Sequence, residues 1–585
     1  MNSSMLLALS LVGGALFAGR AEAAAPRPMS SAPGAEAESI HDNLLANFNA
    51  HFYPERLVGS AELAAHAHEG DHGADGVRGT CLTGLVAALK EHWELFTEVE
   101  RAEMTAKLAP FKADLTDPIA FPAEVEAGVM APPSAPCFGY YYDNHLDSEH
   151  FSITWEDGSL TDAKAQDFID SLEFSWETEI DDLGWLQPAG VSKDPMMIIV
   201  EAGGGAGAYT TVDQCPDGSY VPYVVAYEGS FSAGNWYKVM ACHEFNHASQ
   251  FSYGYGHEFW WWEATATYME EQVYPSINDW ANMAWGYTNH PELGMNSFDV
   301  RSNSDALFWH TYGMVVWTFY LDEYVGGHDL IQDTWKESRG RGRGYDLWLP
   351  DIIEDVGEDF DEVYLGFMAA TAVMDYDEGS FMPDLRRTEI DELPIEDKEP
   401  PDATKPQSLG QNYIRFDRDL GEEGDTLKVT LDGNNDADWY AILVRGNTSV
   451  DEVVQFELDA DGMGTATIAF DGSKDITLVV SPKNEDDQGY AHRWDTDEGY
   501  NYFYSAEVVP AESGSDGGDG SDGSGSSDTG PSTDDDEGGG GKGGGKGGGK
   551  GGCSTAPAEG GLGVLLSGLS GLLLLGLRRR GSVHR

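Results

Sequence analysis

Apolar residues set the first division of this chain. From Trp236 to Phe251 the residues Trp236, Val239, Met240, His243, His247 and Phe251 recur at three- and four-residue spacing, which predicts one stripe of a helix that Gly254 can end. Upstream the pattern shortens to runs that predict strands at 151–155, 196–200 and 223–227, with a helix over 161–178 between the first two. Downstream, helical spacing dominates, over 263–272 before Pro275 and again over 306–317. Mixed strands followed by helices make residues 136–389 an α+β domain. A Pro/Glu/Asp-rich linker, 390–407, changes the texture. From 408 to 510 short alternating runs such as 413–416, 426–431, 439–444, 466–470 and 476–480, separated by Asp/Gly turns, predict an all-β sandwich of about seven or eight strands. Residues 24–135 hold an Ala/His-rich stretch and amphipathic segments within 82–108, the makings of an N-terminal helical segment or propeptide. No solenoid repeat is apparent.

The two ends carry addresses. An apolar stretch from Met5 to Phe17, followed by Ala21-Glu22-Ala23, has the form of a signal peptide over 1–23. Residues 511–552 are a Gly/Ser/Asp/Lys tract too polar to fold. Beyond Cys553, a Leu/Gly run over 561–577 would extend about 26 Å as a helix, nearly enough to span a bilayer. Arg578, Arg579 and Arg580 would hold its end in the cytoplasm. The formal charge of -67 excludes nucleic acid and anionic lipid surfaces as partners. It favours cations, but the turn from Asp432 to Asp438 and the Asp459/Asp461 pair lack EF-hand spacing, so calcium there is weaker than a reading as solvated turns. His66, His68 and His72 sit in Ala/Gly/Asp-rich sequence of loop character.

The chemistry lies in His243-Glu244-Phe245-Asn246-His247. On a helix this spacing puts His243 and His247 on one face, a turn apart, where both imidazoles reach one zinc ion and Glu244 faces its water as general base. Gln250 and Tyr253 stand where a metzincin would carry Gly and a third His. Glu263, in Trp261-Trp262-Glu263-Ala264-Thr265-Ala266, is the candidate third ligand, with Glu258, Glu270 and Glu271 as rivals. These motifs resemble those of the gluzincin metallopeptidases, whose third ligand lies in a W-x-E-G/A-x-A-like motif; the interval from His247 to Glu263 is shorter here than in the thermolysin and aminopeptidase branches. The resemblance implies a zincin-like fold with the cleft between its two parts. It also implies that the strand ahead of the motif helix lies beside that cleft and pairs with an extended substrate. A developing oxyanion needs a further donor, and the Tyr-Gly-containing 306–317 helix offers Tyr312, favoured, and His310.

The tail resembles the MYXO-CTERM sorting signal of myxobacteria over 552–585: Gly-Cys, hydrophobic helix, Arg cluster. The resemblance implies a sorting protease acting near Cys553, lipidation of that cysteine, and membrane anchoring at the outer surface or later release. In an exported protein the remaining Cys81, Cys137, Cys215 and Cys242 allow three pairings, and Cys81 with Cys137 and Cys215 with Cys242 are expected. Cys81 as a latency ligand to zinc has no motif to support it. The expectation is thus an exported, surface-anchored zinc metalloendopeptidase acting on polypeptides through a zinc-bound water. The alternatives are a surface adhesion or binding protein with a non-catalytic zinc site, and a zinc hydrolase of non-peptide substrates.

Overall fold

The structure, a computed structural model, describes residues 33–52, 80–108 and 137–511, apart from 138, 192–193, 204, 233, 255–256, 298–304, 340–348, 436 and 485–498. The expected signal peptide, His66, His68, His72, the 512–552 tract and the expected sorting tail with Cys553 lie outside the described residues. Among the described residues no helix is long and apolar enough to cross a membrane.

The chain is a mixed α/β protein of several sheets. The first sheet has six strands, β1 (Thr80–Cys81), β2 (Asn144–Asp147), β3 (Phe151–Trp155), β4 (Met196–Glu201), β5 (Gly207–Gln214) and β6 (Tyr220–Tyr227), in the order β1-β5-β6-β4-β3-β2. Strands β3, β4 and β6 run parallel, while β5 returns antiparallel to β6. Both faces are covered, which is why β4 and β6 read as nearly continuous apolar runs. Ile198, Val200, Val224 and Ala226 pack under helices α4 (Asp162–Trp176) and α5 (Trp236–Gln250). Met197, Ile199, Tyr223, Val225 and Tyr227 meet Leu44, Phe48, Leu85, Val86, Leu89, Met104 and Leu108 of α1 (Pro33–Phe52), α2 (Thr83–Glu91) and α3 (Glu98–Leu108). The strand expected beside the cleft, β6, is interior; β5 and then β1 lie outside it.

Helices dominate after α5: α6 (Phe259–Val273), α7 (Trp280–Asn289), α8 (Asp305–Gly313), α9 (Val315–Tyr320), α10 (His328–Ser338), α11 (Leu349–Asp355) and α12 (Phe360–Val373). Trp260, Trp261 and Trp262 are all buried and anchor the start of α6 in the largest core. The single helix expected over 306–317 is two, α8 and α9, divided at Met314. Helices α7 and α8 cross in backbone contact at Gly286 and Gly313, where an added Cβ would overlap the Trp309 carbonyl or the Tyr287 amide. That crossing fixes the turn carrying Tyr312.

The last unit pairs a four-stranded sheet, order β13-β10-β15-β8, with a five-stranded one, order β12-β11-β14-β9-β7. The strands are β7 (Thr388–Ile390), β8 (Ile395–Lys398), β9 (Asn412–Phe416), β10 (Thr426–Asp432), β11 (Asp438–Gly446), β12 (Val450–Gln455), β13 (Met463–Ala469), β14 (Ile476–Lys483) and β15 (Phe503–Val509). Its strands begin at Thr388, within what was expected to be the end of the α+β domain, and the supposed linker supplies β8. The five-stranded sheet is buried on both faces. Ala441 and Leu443 of β11 face the sandwich core, whereas Tyr440, Ile442 and Val444 join Phe360, Tyr364 and Phe367 of α12 in the largest core. The β unit therefore shares a core with the helices and is no detached accessory.

The expected disulfides are corrected. Cys137 is bonded to Cys215, while Cys81 and Cys242 are free thiols. Cys242 precedes His243 on α5, but its side chain turns into the core, with its Sγ directed at the Val239 carbonyl at 3.1 Å. Cys215 lies at the end of the β5–β6 hairpin, next to Val221 and Cys137.

Candidate metal centre

Helix α5 is buried along nearly its whole length. Tyr237, Met240, Ala241, Phe245 and Ala248 pack against the sheet, which leaves His243 and His247 pointing from another face with their rings 4.8 Å apart. Helix α6 crosses α5 and is stitched to it by Gln250, whose amide donates to the Trp262 carbonyl at 3.1 Å and to Thr265 Oγ1 at 2.9 Å. Glu263 is thereby delivered to the two histidines. Its Oε2 lies 3.1 Å from His243 Nε2 and 3.4 Å from His247 Nε2. A fourth donor comes from far away in sequence: Cys81 Sγ is 3.4 Å from His247 Nε2 and 3.6 Å from Glu263 Oε1. Among the described residues these four form the group able to hold a metal ion, with all donor atoms within 4.8 Å of one another.

The donor set fits zinc. Bonds of about 2.0–2.3 Å make a tetrahedron with edges of about 3.3–3.8 Å, and the separations above cluster around that range. Two imidazoles, a carboxylate and a thiol are all zinc ligand types. Both rings are also held in the orientation a metal needs. His243 Nδ1 donates to Glu270 Oε1 at 2.8 Å and His247 Nδ1 to Gln250 Oε1 at 2.7 Å, leaving each Nε2 lone pair facing inward. Gln250 is itself fixed by donating to Asn246 Oδ1 at 2.7 Å, and Asn246 donates to buried Glu179 Oε2 at 3.0 Å.

The electrostatics of the cluster call for positive charge. Burial opposes protonation of His247, but Cys81 and Glu263 beside it raise its pKa to about 10. Burial likewise opposes ionisation of Glu263, yet the two histidines hold it down to about 2. Burial, with Glu244 and Glu263 adding to it, pushes the Cys81 thiol up. A divalent cation answers all of these at once, since it accepts the lone pairs and deprotonates a coordinating thiol.

Glu244 is buried alongside and is not one of the four. Its Oε2 accepts from Thr210 Oγ1 at 2.6 Å and Thr83 Oγ1 at 3.3 Å. Tyr312 is buried with its ring 6.3 Å from that of His243, and its hydroxyl donates to the Cys81 carbonyl at 3.1 Å. His310 is buried 5.9 Å from the Tyr287 ring, without a hydrogen bond to the cluster, and burial lowers its pKa to about 3. Of the rival glutamates, Glu270 supports His243 from behind, Glu258 Oε2 accepts from Trp260 Nε1 at 3.0 Å, and Glu271 Oε2 from Trp280 Nε1 at 2.6 Å. The carboxylates of Asp432 and Asp459 accept from backbone amides of their own turns.

Sequence reasoning gave no supporting role to Gln250 or Thr210, held Glu270 only as a rival ligand, and set Cys81 aside as a ligand without a motif. Gln250 and Glu270 carried a signal: Gln250 is three residues beyond His247, and Glu270 two turns beyond Glu263 on one helix face.

The model of a family of unknown function, DUF6055, matches residues 117–509, and the chain belongs to that family. The match takes in His243, Glu244, His247, Glu263, Tyr312 and the whole sandwich, and it begins after Cys81. No curated protein matches the chain.

Proposed function

We propose that this DUF6055 member is a zinc-dependent peptidase with a gluzincin-like centre. The observation that carries the reading is the inward convergence of His243 Nε2, His247 Nε2 and the Glu263 carboxylate, both Nδ1 atoms tied off behind, with a further buried carboxylate, Glu244, beside them. Zinc held there supplies Lewis-acid polarisation of a carbonyl and acidifies water. Glu244 is the general base: its carboxylate takes the proton of the attacking water and passes it to the leaving amine. Thr210 Oγ1 orients that carboxylate. Tyr312, whose hydroxyl already holds a peptide carbonyl, is the donor for the developing oxyanion. The backbone edge of β5, paired with β1 at Gly207 and Ala208, is the one an extended polypeptide would use. Address is part of the proposal: a signal peptide exports the chain, and the sorting tail, cleaved and lipidated near Cys553, displays it at the cell surface. The Cys137–Cys215 disulfide suits an oxidising compartment.

A second reading has one observation in its favour. Four protein donors would fill every position of a tetrahedral zinc ion, as in structural zinc sites and in a surface binding protein that never turns over. Glu244 argues against it, because a structural site has no use for a buried carboxylate that is not a ligand. The test is cleavage of an unfolded-protein substrate by the zinc-loaded full chain and by Cys81→Ser, each beside Glu244→Gln and a chelator. Cleavage lost in both controls is the expected result. Zinc-loaded, folded protein that cleaves in neither form sinks the peptidase reading and leaves the binding protein or a hydrolase of non-peptide substrates.

A further inference from the structure

Strand β1 adds to the outer edge of β5, with Thr80 opposite Gly207 and Cys81 opposite Ala208, and the Leu82 amide donates to the Ala208 carbonyl at 2.7 Å. It occupies the edge that an extended substrate would need. The same few residues reach every part of the centre. Cys81 supplies its thiol to the metal cluster, and the Thr83 amide points at that sulfur from 3.4 Å, a donor placed to support a thiolate. The Cys81 carbonyl accepts from Tyr312, so a peptide carbonyl of the chain itself sits where a scissile one would be polarised. Thr83 Oγ1 donates to Glu244 and accepts from the Thr210 amide at 2.9 Å. Helix α2 is then moored by Lys90 Nζ on Thr211 Oγ1 at 2.6 Å. Thr80, Cys81, Leu82, Thr83 and Lys90 all precede the part of the chain that matches the family.

We infer that Cys81 is the fourth ligand of the metal and that residues 80–83 sit in the substrate's place, so that the chain holds its own active centre closed. The inference rests on the peptidase reading for what is being regulated. Opening would withdraw the Cys81 sulfur, which would take a proton from solvent, and would leave its place among His243, His247 and Glu263 to water. The segment is tethered by more than the thiol. Helices α1–α3 cover Met197, Ile199, Tyr209, Tyr223, Val225 and Tyr227, so stripping away the whole segment would expose an apolar sheet face. Local withdrawal of β1 costs far less burial than loss of the three helices, and it is the step that opens the site.

The experiment uses the full chain loaded with cobalt(II) in place of zinc, unaltered and as Cys81→Ser. The unaltered protein is expected to show thiolate-to-cobalt charge-transfer absorption, which the variant loses while still binding one cobalt. Acetohydroxamate is expected to shift the visible cobalt bands of the variant and leave those of the unaltered chain unmoved. With zinc, the variant is expected to cleave an unfolded substrate about tenfold faster or more, the reciprocal of the unaltered chain's open fraction. No thiolate band in the unaltered chain, or equal response of both to acetohydroxamate, overturns the inference. The expected spectra with no cleavage by the variant overturn the peptidase reading and the latency built on it, and keep Cys81 as a ligand. Cys81→Ala repeats the test without a hydroxyl. Alkylation mapped to Cys81 by mass spectrometry, blocked by zinc and released by chelation, needs no variant; alkylation indifferent to zinc overturns the ligation.

Discussion

In the sandwich, Leu427, Val429 and Leu431 alternate with half-exposed Thr426, Lys428 and Thr430 and meet Leu443, Leu478 and Val480 of the facing sheet. At the candidate metal centre His243, Glu244, His247, Gln250, Glu263 and Glu270 are all buried and all polar. The first cluster is held by area removed from water, spread over many residues of similar kind. The second is held by pairing, each donor matched to a particular acceptor, because a buried polar group left alone costs more than its hydrogen bond contributes. The sandwich should therefore tolerate exchange among apolar residues, while the centre should fail by function at each position and by stability at few.

The largest effect expected from that contrast falls on Glu244. Glu244→Gln keeps an oxygen to accept from Thr210 and Thr83 but cannot take a proton, so turnover should fall about 100- to 10,000-fold with metal content and chemical denaturation midpoint nearly unchanged. Steady-state kinetics beside metal analysis checks it; loss of zinc together with activity would mean that Glu244 acts as a ligand. Next comes Leu443→Ala, fully buried between the two β-sheets, expected to cost about 2–5 kcal/mol without changing zinc affinity. Ile442, on the opposite face of the same strand, packs with the helices. Ile442→Ala should therefore lower the stability of the helical half as well, in one cooperative transition; two separate transitions would show that the shared core does not couple the halves.

Behind the ligands the effects are smaller. Gln250→Ala and Glu270→Gln each disturb the acceptor of one histidine Nδ1, and zinc affinity should weaken about 10- to 100-fold, measured by competition with a chromophoric chelator. Unchanged affinity in both would mean that the rings are oriented by packing alone. The two substitutions should also differ, since Gln250 additionally joins α5 to α6 and its loss should lower stability more.

The contrast explains what could be read from the sequence. Period-two alternation marked the middle strands of the sandwich, but β7 and β8 are edge strands with largely exposed side chains and so resemble linker. The candidate ligands on α5 and α6 were legible as a group because each helix repeats its face locally. Strand β5 was hidden because some of its residues serve the site instead of the core: Thr210 bonds Glu244 and Thr211 bonds Lys90. Cys81 at the cluster had no motif to support it, being 162 residues from His243 and brought to it through a sheet edge. The same distance argument misled the disulfides, since proximity in sequence favoured Cys215 with Cys242, while Cys242 is turned inward by the helix that carries His243.

The smallest effect concerns a carboxyl that belongs to neither cluster. Glu271 follows Glu270 on α6, and burial raises its pKa from 4.5 to about 8, against the hydrogen bond it accepts from Trp280 Nε1. A carboxyl that binds its proton more tightly folded than unfolded stabilises the fold fully below pH 4.5, and that contribution is lost as pH rises through about 8. Glu271→Gln keeps an acceptor for Trp280 and removes the titration. It should therefore flatten part of the decline in unfolding free energy between those two pH values, with little change at acid pH. Denaturation of both proteins at several pH values, with zinc saturating throughout, separates this slope from that of the metal ligands. If the variant instead follows the parent at every pH, Glu271 titrates as an ordinary surface acid and its burial is relieved by solvent.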